Sequence, residues 1–169
     1  MLIFFDTEFT ELGIDPRLVS IGLIAEDGVR TFYAELSDTY QPKDCSAFTQ
    51  EAVLPYLEGG NALMTLDNLT LRLGSWIAGF EQPVNLATDS LSWDWPWIQE
   101  IFYLPDTWPA NLDGKPASLY EMIDSPFFEH AVEHAFESRQ PRLRRHHALD
   151  DAKANRFAWL AWQGARKTG

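Results

Sequence analysis

The chain has 169 residues, of which 46% are hydrophobic and 22% charged, a composition that favours one globular domain over residues 1–169. Its formal net charge of −12 argues against non-specific binding to long duplexes, because such binding depends on lysines and arginines that neutralise phosphates. A single cysteine excludes an internal disulfide framework, and no apolar run approaches the roughly 18 residues of a membrane span. With no signal-peptide core, the sequence predicts a cytoplasmic protein that does not contact a membrane.

Short apolar runs predict four strands, and a turn signal joins two of them. The segments 18–25 and 29–36 flank a Glu-Asp-Gly turn and are therefore predicted to form an antiparallel hairpin. A fifth short strand is expected within 104–118, at a position that the pattern does not define. The four predicted strands cover residues 2–6, 18–25, 29–36 and 82–88.

Helical spacing of apolar residues predicts the remaining elements. Pro96 falls in the expected first turn of one helix, where proline is tolerated, and another helix is expected to break near Ser125-Pro126. The order of the elements indicates an α/β fold with three α/β/α layers and a central five-stranded mixed sheet. The predicted helices cover residues 49–56, 66–80, 94–102, 119–137 and 147–163.

Two carboxylates share one face of the first strand. Asp6 and Glu8 are two positions apart, and side chains at that spacing on a strand point to the same side. Two partly buried carboxylates are costly unless a cation joins them, and hard oxygen ligands suit Mg²⁺ or Mn²⁺. A solvated strand end is the alternative interpretation. The apolar run before Asp6 indicates a central strand and favours the metal site.

The segment from Asp6 to Thr10, Asp-Thr-Glu-Phe-Thr, resembles the first motif of the DEDD exonuclease superfamily, which includes proofreading exonucleases, ribonuclease T and oligoribonuclease. The second motif of that family is an aspartate after the fourth strand with an apolar residue three positions later. Asp94, followed by Trp97, is similar to this motif. Asp89 lies closer to the strand end and is the competing candidate, although the residues that follow it match less well.

The third motif of the family is a histidine five positions before an aspartate at the start of the last helix. His146 and Asp151 resemble it, and this match is typical of the branch known as DEDDh. His147 is a lesser candidate for the same histidine. Asp150 is expected to be a solvated residue near the helix N-terminus, where the helix dipole favours an acid.

The resemblance implies a ribonuclease H-like fold, with strands 1, 4 and 5 parallel, and 3′–5′ exonuclease activity that releases nucleoside 5′-monophosphates. It implies two divalent cations, Mg²⁺ or Mn²⁺: Asp6 would bridge them, Glu8 and Asp151 would complete the water-activating ion, and Asp94 would serve the other. His146 would be the general base. The chain most resembles a small bacterial and phage group of ribonuclease T-like exoribonucleases. Its expected substrate is the 3′ end of single-stranded RNA or DNA, and relatives suggest a homodimer.

Aromatic and basic residues near these motifs are candidates for substrate binding. Phe9 and Trp93 flank the proposed ligands and are candidates for stacking on bases, whereas Trp97 is expected in the core. Arginines in the connector 138–145 indicate either phosphate contact or a solvated loop. The predicted substrate-binding set is Phe9, Thr10, Trp93, Arg144 and Arg145, and the connector also contains Arg139 and Arg142.

Two rival interpretations remain open. His130, Glu133 and His134 match an inverted zincin pattern, in which two histidines one helical turn apart bind zinc in a metallopeptidase. A polar helix face explains them better, because a third ligand and a larger scaffold would be needed. The other rival is a non-catalytic nucleic-acid-binding protein on the same fold.

Overall fold

A computed structural model of the chain describes residues 1–103, 106–138 and 142–168. In these described residues, six strands form one sheet, in the spatial order β4-β3-β2-β1-β5-β6. β2 is antiparallel to both β1 and β3, whereas the pairs β1–β5, β5–β6 and β3–β4 are parallel. The strands are β1 (Leu2–Phe9), β2 (Leu18–Ala25), β3 (Thr31–Leu36), β4 (Leu63–Met64), β5 (Asn85–Thr88) and β6 (Ala117–Ser118).

The predicted hairpin and the parallel strands are confirmed, but the predicted count of five strands is wrong by one. The additional strand, β4, has two residues and pairs with Glu35 and Leu36 of β3. The strand expected within 104–118 is β6, which pairs with Ala87 and Thr88. Neither could be located by pattern, because two residues are too few to show the alternation that identifies a strand.

Six α-helices accompany the sheet in the part of the chain that the structure describes, with short 3₁₀ turns at Pro42–Asp44, Leu54–Tyr56 and Gly60–Ala62. α3 begins earlier than predicted, since the Ser90 carbonyl already accepts the N–H groups of Trp93 and Asp94. Asp94 therefore lies in the first turn rather than opening the helix, and Pro96 lies inside it. The helices are α1 (Ala47–Ala52), α2 (Leu66–Ala78), α3 (Leu91–Tyr103), α4 (Leu119–Met122), α5 (Ser125–Ser138) and α6 (Ala148–Thr168).

The core has one layer on each face of the sheet because side chains alternate along β1. Ile3 and Phe5 join buried residues of α2 and α3 on one face. Phe4 joins buried residues of α4, α5 and α6 on the other. Asp6 and Glu8 continue the row of Phe4 and thus face the layer that contains α6. No helix in the described ranges is long and apolar enough to cross a membrane.

Candidate active site

Five carboxylates from three segments converge where β1 and β5 end. They form two groups that share Asp6: one with Glu8 and Asp151, the other with Asp89 and Asp94. Within each group, one oxygen of every carboxylate lies within 4.8 Å of the others. The structure thus brings together all four carboxylates predicted from the motifs and adds Asp89, the competing candidate for the second motif.

A glycine on β2 lets α6 approach the sheet at this point. Gly22 pairs with Asp6 in the antiparallel ladder. A Cβ atom at Gly22 would lie 2.1 Å from the backbone nitrogen of Leu149, so any larger residue would push the start of α6 away. Close approach of the two backbones requires glycine here. It places Asp151, in the first turn of α6, beside Asp6 and Glu8.

Hydroxyl groups from two strands hold the carboxylate of Asp94. Thr7 Oγ1 donates to Asp94 Oδ1 at 2.6 Å, and Thr88 Oγ1 makes a short hydrogen bond to Oδ2. Asp94 is only 1% exposed. The α3 aspartate is therefore fixed between the ends of β1 and β5, which are neighbours in the sheet.

Burial and mutual repulsion make this cluster electrostatically unfavourable by itself. Burial, and then the charge of Asp94, raises the pKa of Asp6 well above its ordinary value. Burial is also the main cause that raises the pKa of Glu8 to about 8, of Asp151 to about 8 and of Asp94 to about 7. No lysine or arginine in the described ranges forms an ion pair with these four acids.

The donor set fits hard divalent cations. Carboxylate oxygens are the ligands that Mg²⁺ and Mn²⁺ prefer, and a bound cation reverses the local preference for protons. The excess negative charge, without a described basic partner, is the property that such an ion would offset. Each of the two groups, which share Asp6, has three acids close enough together to hold an ion.

The raised pKa values predict how the stability of the metal-free protein depends on pH. The folded protein holds protons on Glu8, Asp94 and Asp151 that the unfolded chain, with ordinary values of 3.8 to 4.5, has already released. Because the folded state binds more protons, the free energy of unfolding should fall as pH rises from about 4 to about 8. Thermal melts in EDTA should show this decline.

Added Mg²⁺ or Mn²⁺ should reverse most of that decline, because cations bind the deprotonated carboxylates of the folded state only. Melting temperatures at pH 5 and pH 8, each with and without Mn²⁺, provide the measurement. The stabilisation by Mn²⁺ should be larger at pH 8. Equal stabilisation at both values would contradict the assignment of protonated carboxylates in the metal-free site.

His146 lies directly before α6 in a conformation that few residues adopt. Its φ angle is +59°, in the left-handed region, where a residue with a side chain is strained. Such strain often occurs at functional sites. The half-buried ring contacts the Phe48 ring edge-on, at 4.9 Å between centroids. Burial, and then the charge of Arg145, lowers the pKa of His146, which keeps its imidazole neutral near pH 7.

His147 has a different environment, although it is adjacent. It is 2% exposed, and its ring stacks on Tyr33 at 4.5 Å between centroids. Its Nε2 lies 3.0 Å from Arg144 Nη2 and 3.4 Å from Glu58 Oε1. The backbone N–H of His147 donates to Asp151 Oδ2 at 3.0 Å. The buried ring joins a polar network with the partly exposed side chains of Arg144 and Glu58, and the backbone orients one of the clustered acids.

Arg144, a predicted phosphate contact, has intramolecular partners. It donates from Nε to Asp150 Oδ2 at 2.8 Å and from Nη2 to Glu58 Oε1 at 2.9 Å. The prediction that Asp150 is solvated is wrong, since this residue is buried and also pairs with Lys153 at 2.8 Å. A negative side chain held by two cations is stable in that position. Arg144 therefore anchors the connector to α6.

Arg145, the other predicted phosphate contact, is more exposed. It pairs with Glu133 of α5, and its guanidinium lies 4.2 Å from the centroid of the Phe136 ring. Arg142 is exposed, and Arg139 lies outside the described residues. The predicted basic cluster thus includes at least two arginines with acidic partners in the protein.

An apolar cavity of about 300 Å³ opens beside Glu8. Its lining includes Phe9, Leu12, Phe48 and Val53, so a flat apolar group could enter next to the carboxylates. Phe48 was not predicted as a site residue. Exposure of a large apolar side chain is a signal that only the structure provides. At 58% exposed, Phe48 lies at the mouth of the cavity.

Of the predicted aromatic and threonine contacts, Phe9 lines this cavity. Phe9 stacks on Trp93 at 5.7 Å with an interplanar angle of 17°, and Trp93 remains 41% exposed. Trp97 is buried, as expected. Thr10 is buried too: its Oγ1 accepts the Arg17 N–H at 3.0 Å. Trp93 is therefore the predicted aromatic contact with a ring open to solvent. The Thr10 hydroxyl instead accepts a hydrogen bond from the protein backbone.

The zincin pattern does not form a metal site in the described parts of the chain. His130 and His134 are exposed on α5, and Glu133 pairs with Arg145. His134 stacks on Phe157 at 5.8 Å between centroids. None of the three belongs to a carboxylate and histidine group that could hold an ion there. A polar helix face explains the pattern.

Comparison with known proteins gives the same family as the motifs. No family model matches the chain. Proteins named 3′–5′ exoribonuclease from two strains of Mycobacterium tuberculosis are each 30% identical over 161 residues, which cover 90% of this chain and 88% of the relative.

A solved structure of exonuclease I shares the fold, with a TM-score of 0.63 and 14% identity over 97% of this chain. The match spans 41% of the exonuclease I chain. The fold, the arrangement of the motif residues and the two relatives agree. The chain belongs to the DEDDh-like 3′–5′ exonucleases and is a nuclease that acts on nucleic acid.

Proposed function

We propose that the protein is an exoribonuclease that removes 5′-mononucleotides from the 3′ end of single-stranded RNA with two divalent cations. The observation that carries this proposal is the position of Asp6 in both carboxylate groups. A shared acid between two ligand groups is the arrangement expected of a two-metal phosphodiesterase. RNA is favoured over DNA because the two relatives at 30% identity are named exoribonucleases.

Each acid has a defined role in this proposal. Asp6, Glu8 and Asp151 would hold one cation, and Asp6 with Asp94 would hold the other. Cations held by these acids would activate a water and stabilise the leaving oxygen of the phosphodiester. Thr7 and Thr88 fix Asp94 by hydrogen bonds, so the carboxylate is oriented before an ion arrives. Asp151 is held by the backbone N–H of His147 in the same way.

His146 accepts the proton of the attacking water at an imidazole nitrogen. A general base must be unprotonated at the working pH, and burial lowers the pKa of this histidine below its ordinary value. The left-handed backbone at His146 directs the ring towards Phe48, at the mouth of the cavity beside Glu8. The neighbouring carboxylates and the reacting phosphate would lie at that mouth.

The cavity beside Glu8 would receive the base of the 3′-terminal nucleotide. Its apolar walls, Phe9, Leu12 and Phe48, suit a planar ring, and its rim is formed by a proposed metal ligand. With the terminal base in this cavity, the phosphodiester of the same nucleotide would lie next to the ions. A duplex end does not offer a single unpaired base, which favours a single-stranded substrate.

Trp93→Ala should raise KM for a single-stranded oligonucleotide about five- to a hundredfold with little change in kcat, because stacking of one base contributes about 1–3 kcal/mol. The exposed ring, stacked on Phe9, is the surface on which the preceding base would lie. Tyr103→Ala, at the other end of α3, is the matched control, since Tyr103 is exposed at 57%. A Trp93 variant with unchanged KM would contradict this role.

Digestion of matched RNA and DNA single strands, labelled at the 5′ end, tests the proposed function. With Mg²⁺ or Mn²⁺, we expect stepwise shortening of RNA from the 3′ end and release of 5′-mononucleotides. EDTA should stop the reaction. Faster digestion of DNA would identify a single-strand DNA exonuclease, and binding without digestion of either strand would contradict the catalytic proposal.

A further inference from the structure

Asp89 is a fifth acid at the site and has no counterpart among the roles assigned above. It directly follows β5, which runs parallel to β1 and pairs with it up to Ala87 and Phe4. The ends of neighbouring parallel strands meet at one edge of a sheet, which brings Asp89 next to Asp6. Its carboxylate and those of Asp6 and Asp94 have oxygens within 4.8 Å of one another.

Asp94 has only part of its coordinating capacity left. Both of its oxygens accept hydrogen bonds from threonine hydroxyl groups, and the side chain is 1% exposed. Asp89 is more accessible. Its described hydrogen bond, from Asn155 Nδ2 at 2.8 Å, falls on Oδ1, and the Thr88 hydroxyl, which donates to Asp94, lies 3.5 Å from the same oxygen. Oδ2 can therefore face an ion that lies between Asp89 and Asp6.

A buried amide on α6 orients Asp89, and this observation is independent of the acidic cluster. Asn155 is 3% exposed, and its Nδ2 donates to Asp89 Oδ1. Burial of an amide is costly unless it is hydrogen-bonded. Outer hydrogen bonds of this kind fix the orientation of ligating carboxylates in metal sites. Asn155 also lies four residues after Asp151, so both side chains project from the same face of α6.

We infer that Asp89 is a direct ligand of the second cation, the one held by Asp6 and Asp94, and that Asn155 is its positioning residue. The inference rests on the proposed two-cation site. α6 then serves both ions: Asp151 contributes a carboxylate to the first, and Asn155 orients a carboxylate for the second. Loss of Asp89 should weaken the binding of one ion and leave the binding of the other, held by Asp6, Glu8 and Asp151, unchanged.

Binding of Mn²⁺ to the full chain without nucleic acid tests this assignment, by titration calorimetry and by the paramagnetic resonance signal of free Mn²⁺. The wild type should bind two ions. In Asp89→Asn, one ion should bind at least about tenfold more weakly while the affinity for the other is unchanged. Asn155→Ala should lower the affinity for the same ion. Asp67→Asn removes an equal charge from the exposed face of α2 and should bind both ions normally.

The two variants act from different elements, so a folding defect in one does not decide the result. Asp89→Asn keeps the shape of the side chain and removes one charge from a repulsive cluster, so its metal-free melting temperature should not fall. Two ions bound with unchanged affinity in both variants would overturn the assignment of Asp89 alone. A wild type that binds fewer than two ions would overturn the two-cation proposal, and the assignment with it.

Discussion

Replacing Asp6 with asparagine is expected to lower the rate of nucleotide release by at least about a thousandfold while making the metal-free protein more stable. Each 1.36 kcal/mol of lost transition-state stabilisation costs about tenfold in rate. Two metal cations at the reacting phosphate contribute several kcal/mol of such stabilisation. Asp6 belongs to both carboxylate groups, so its loss weakens both ions at once. No other described acid belongs to both groups.

The opposite effect on stability follows from the electrostatics of the same residue. Burial and the charges of four neighbouring acids raise the pKa of Asp6 well above its ordinary value, which means that its ionised form is unfavourable in the folded protein. Asparagine has the same shape and carries no charge. At pH 8 in EDTA, where the neighbouring acids ionise, the Asp6→Asn variant should therefore melt at a higher temperature than the wild type.

Activity on a labelled single strand and thermal melting in EDTA, measured on one preparation, provide the test. Asp67→Asn is the control for removal of a negative charge and should leave both quantities unchanged. Release of mononucleotides at the wild-type rate by Asp6→Asn would contradict the two-cation mechanism. A large loss of both activity and stability would instead show that Asp6 is needed for folding.

The candidate metal ligands could be predicted because their spacing is imposed by local geometry. An i, i+2 pair on a strand faces one side whatever the rest of the fold does, so Asp6 and Glu8 were identifiable from five residues of sequence. Asp151 was identifiable by its distance from His146. The convergence of these motifs depends on Gly22, whose close contact with the start of α6 is visible only in three dimensions.

The choice between Asp89 and Asp94 illustrates the limit of such spacing arguments. The motif pattern admits one aspartate after the fourth strand, so by sequence the two are alternatives. In the structure α3 begins at Leu91, close enough to β5 that the strand end and the first helical turn reach the same point. Both acids therefore approach Asp6, and the structure makes them neighbours instead of alternatives.

The predicted arginine contacts depended on charge alone, and charge alone does not reveal intramolecular partners. Arg144 pairs with Asp150 and Glu58, which are 6 and 86 residues away in sequence. The second of these distances explains why the pair could not be predicted from local pattern. The same network encloses His147, which makes the two adjacent histidines unequal.

That inequality leads to a paired prediction for His146 and His147. His146→Ala should lower kcat about a hundred- to ten-thousandfold, the usual contribution of a general base, with little change in melting temperature. The ring is half-buried, and the edge-on contact with Phe48 is the interaction that the variant removes. Mn²⁺ binding should persist in this variant, because all the clustered acids remain.

His147→Ala should show the reverse pattern. The ring is 2% exposed and stacks on Tyr33, so its removal leaves a cavity. Arg144 and Glu58 also lose their contact with the imidazole Nε2. Truncation of a large buried side chain costs about 2–4 kcal/mol of stability. The hydrogen bond to Asp151 comes from the backbone N–H and survives the change. Activity per folded molecule should therefore fall much less than in His146→Ala.

The pH profile separates the two histidines further. Because burial lowers the pKa of His146, its neutral form should predominate down to a pH below 6.5, and kcat should decline only at still lower pH as the imidazole gains a proton. At saturating Mn²⁺, which keeps the clustered carboxylates ionised, that acid limb should be present in His147→Ala and absent from the residual activity of His146→Ala. If His147→Ala were instead the variant that abolished kcat at unchanged stability, the general base would be His147, and the third motif would be displaced by one residue.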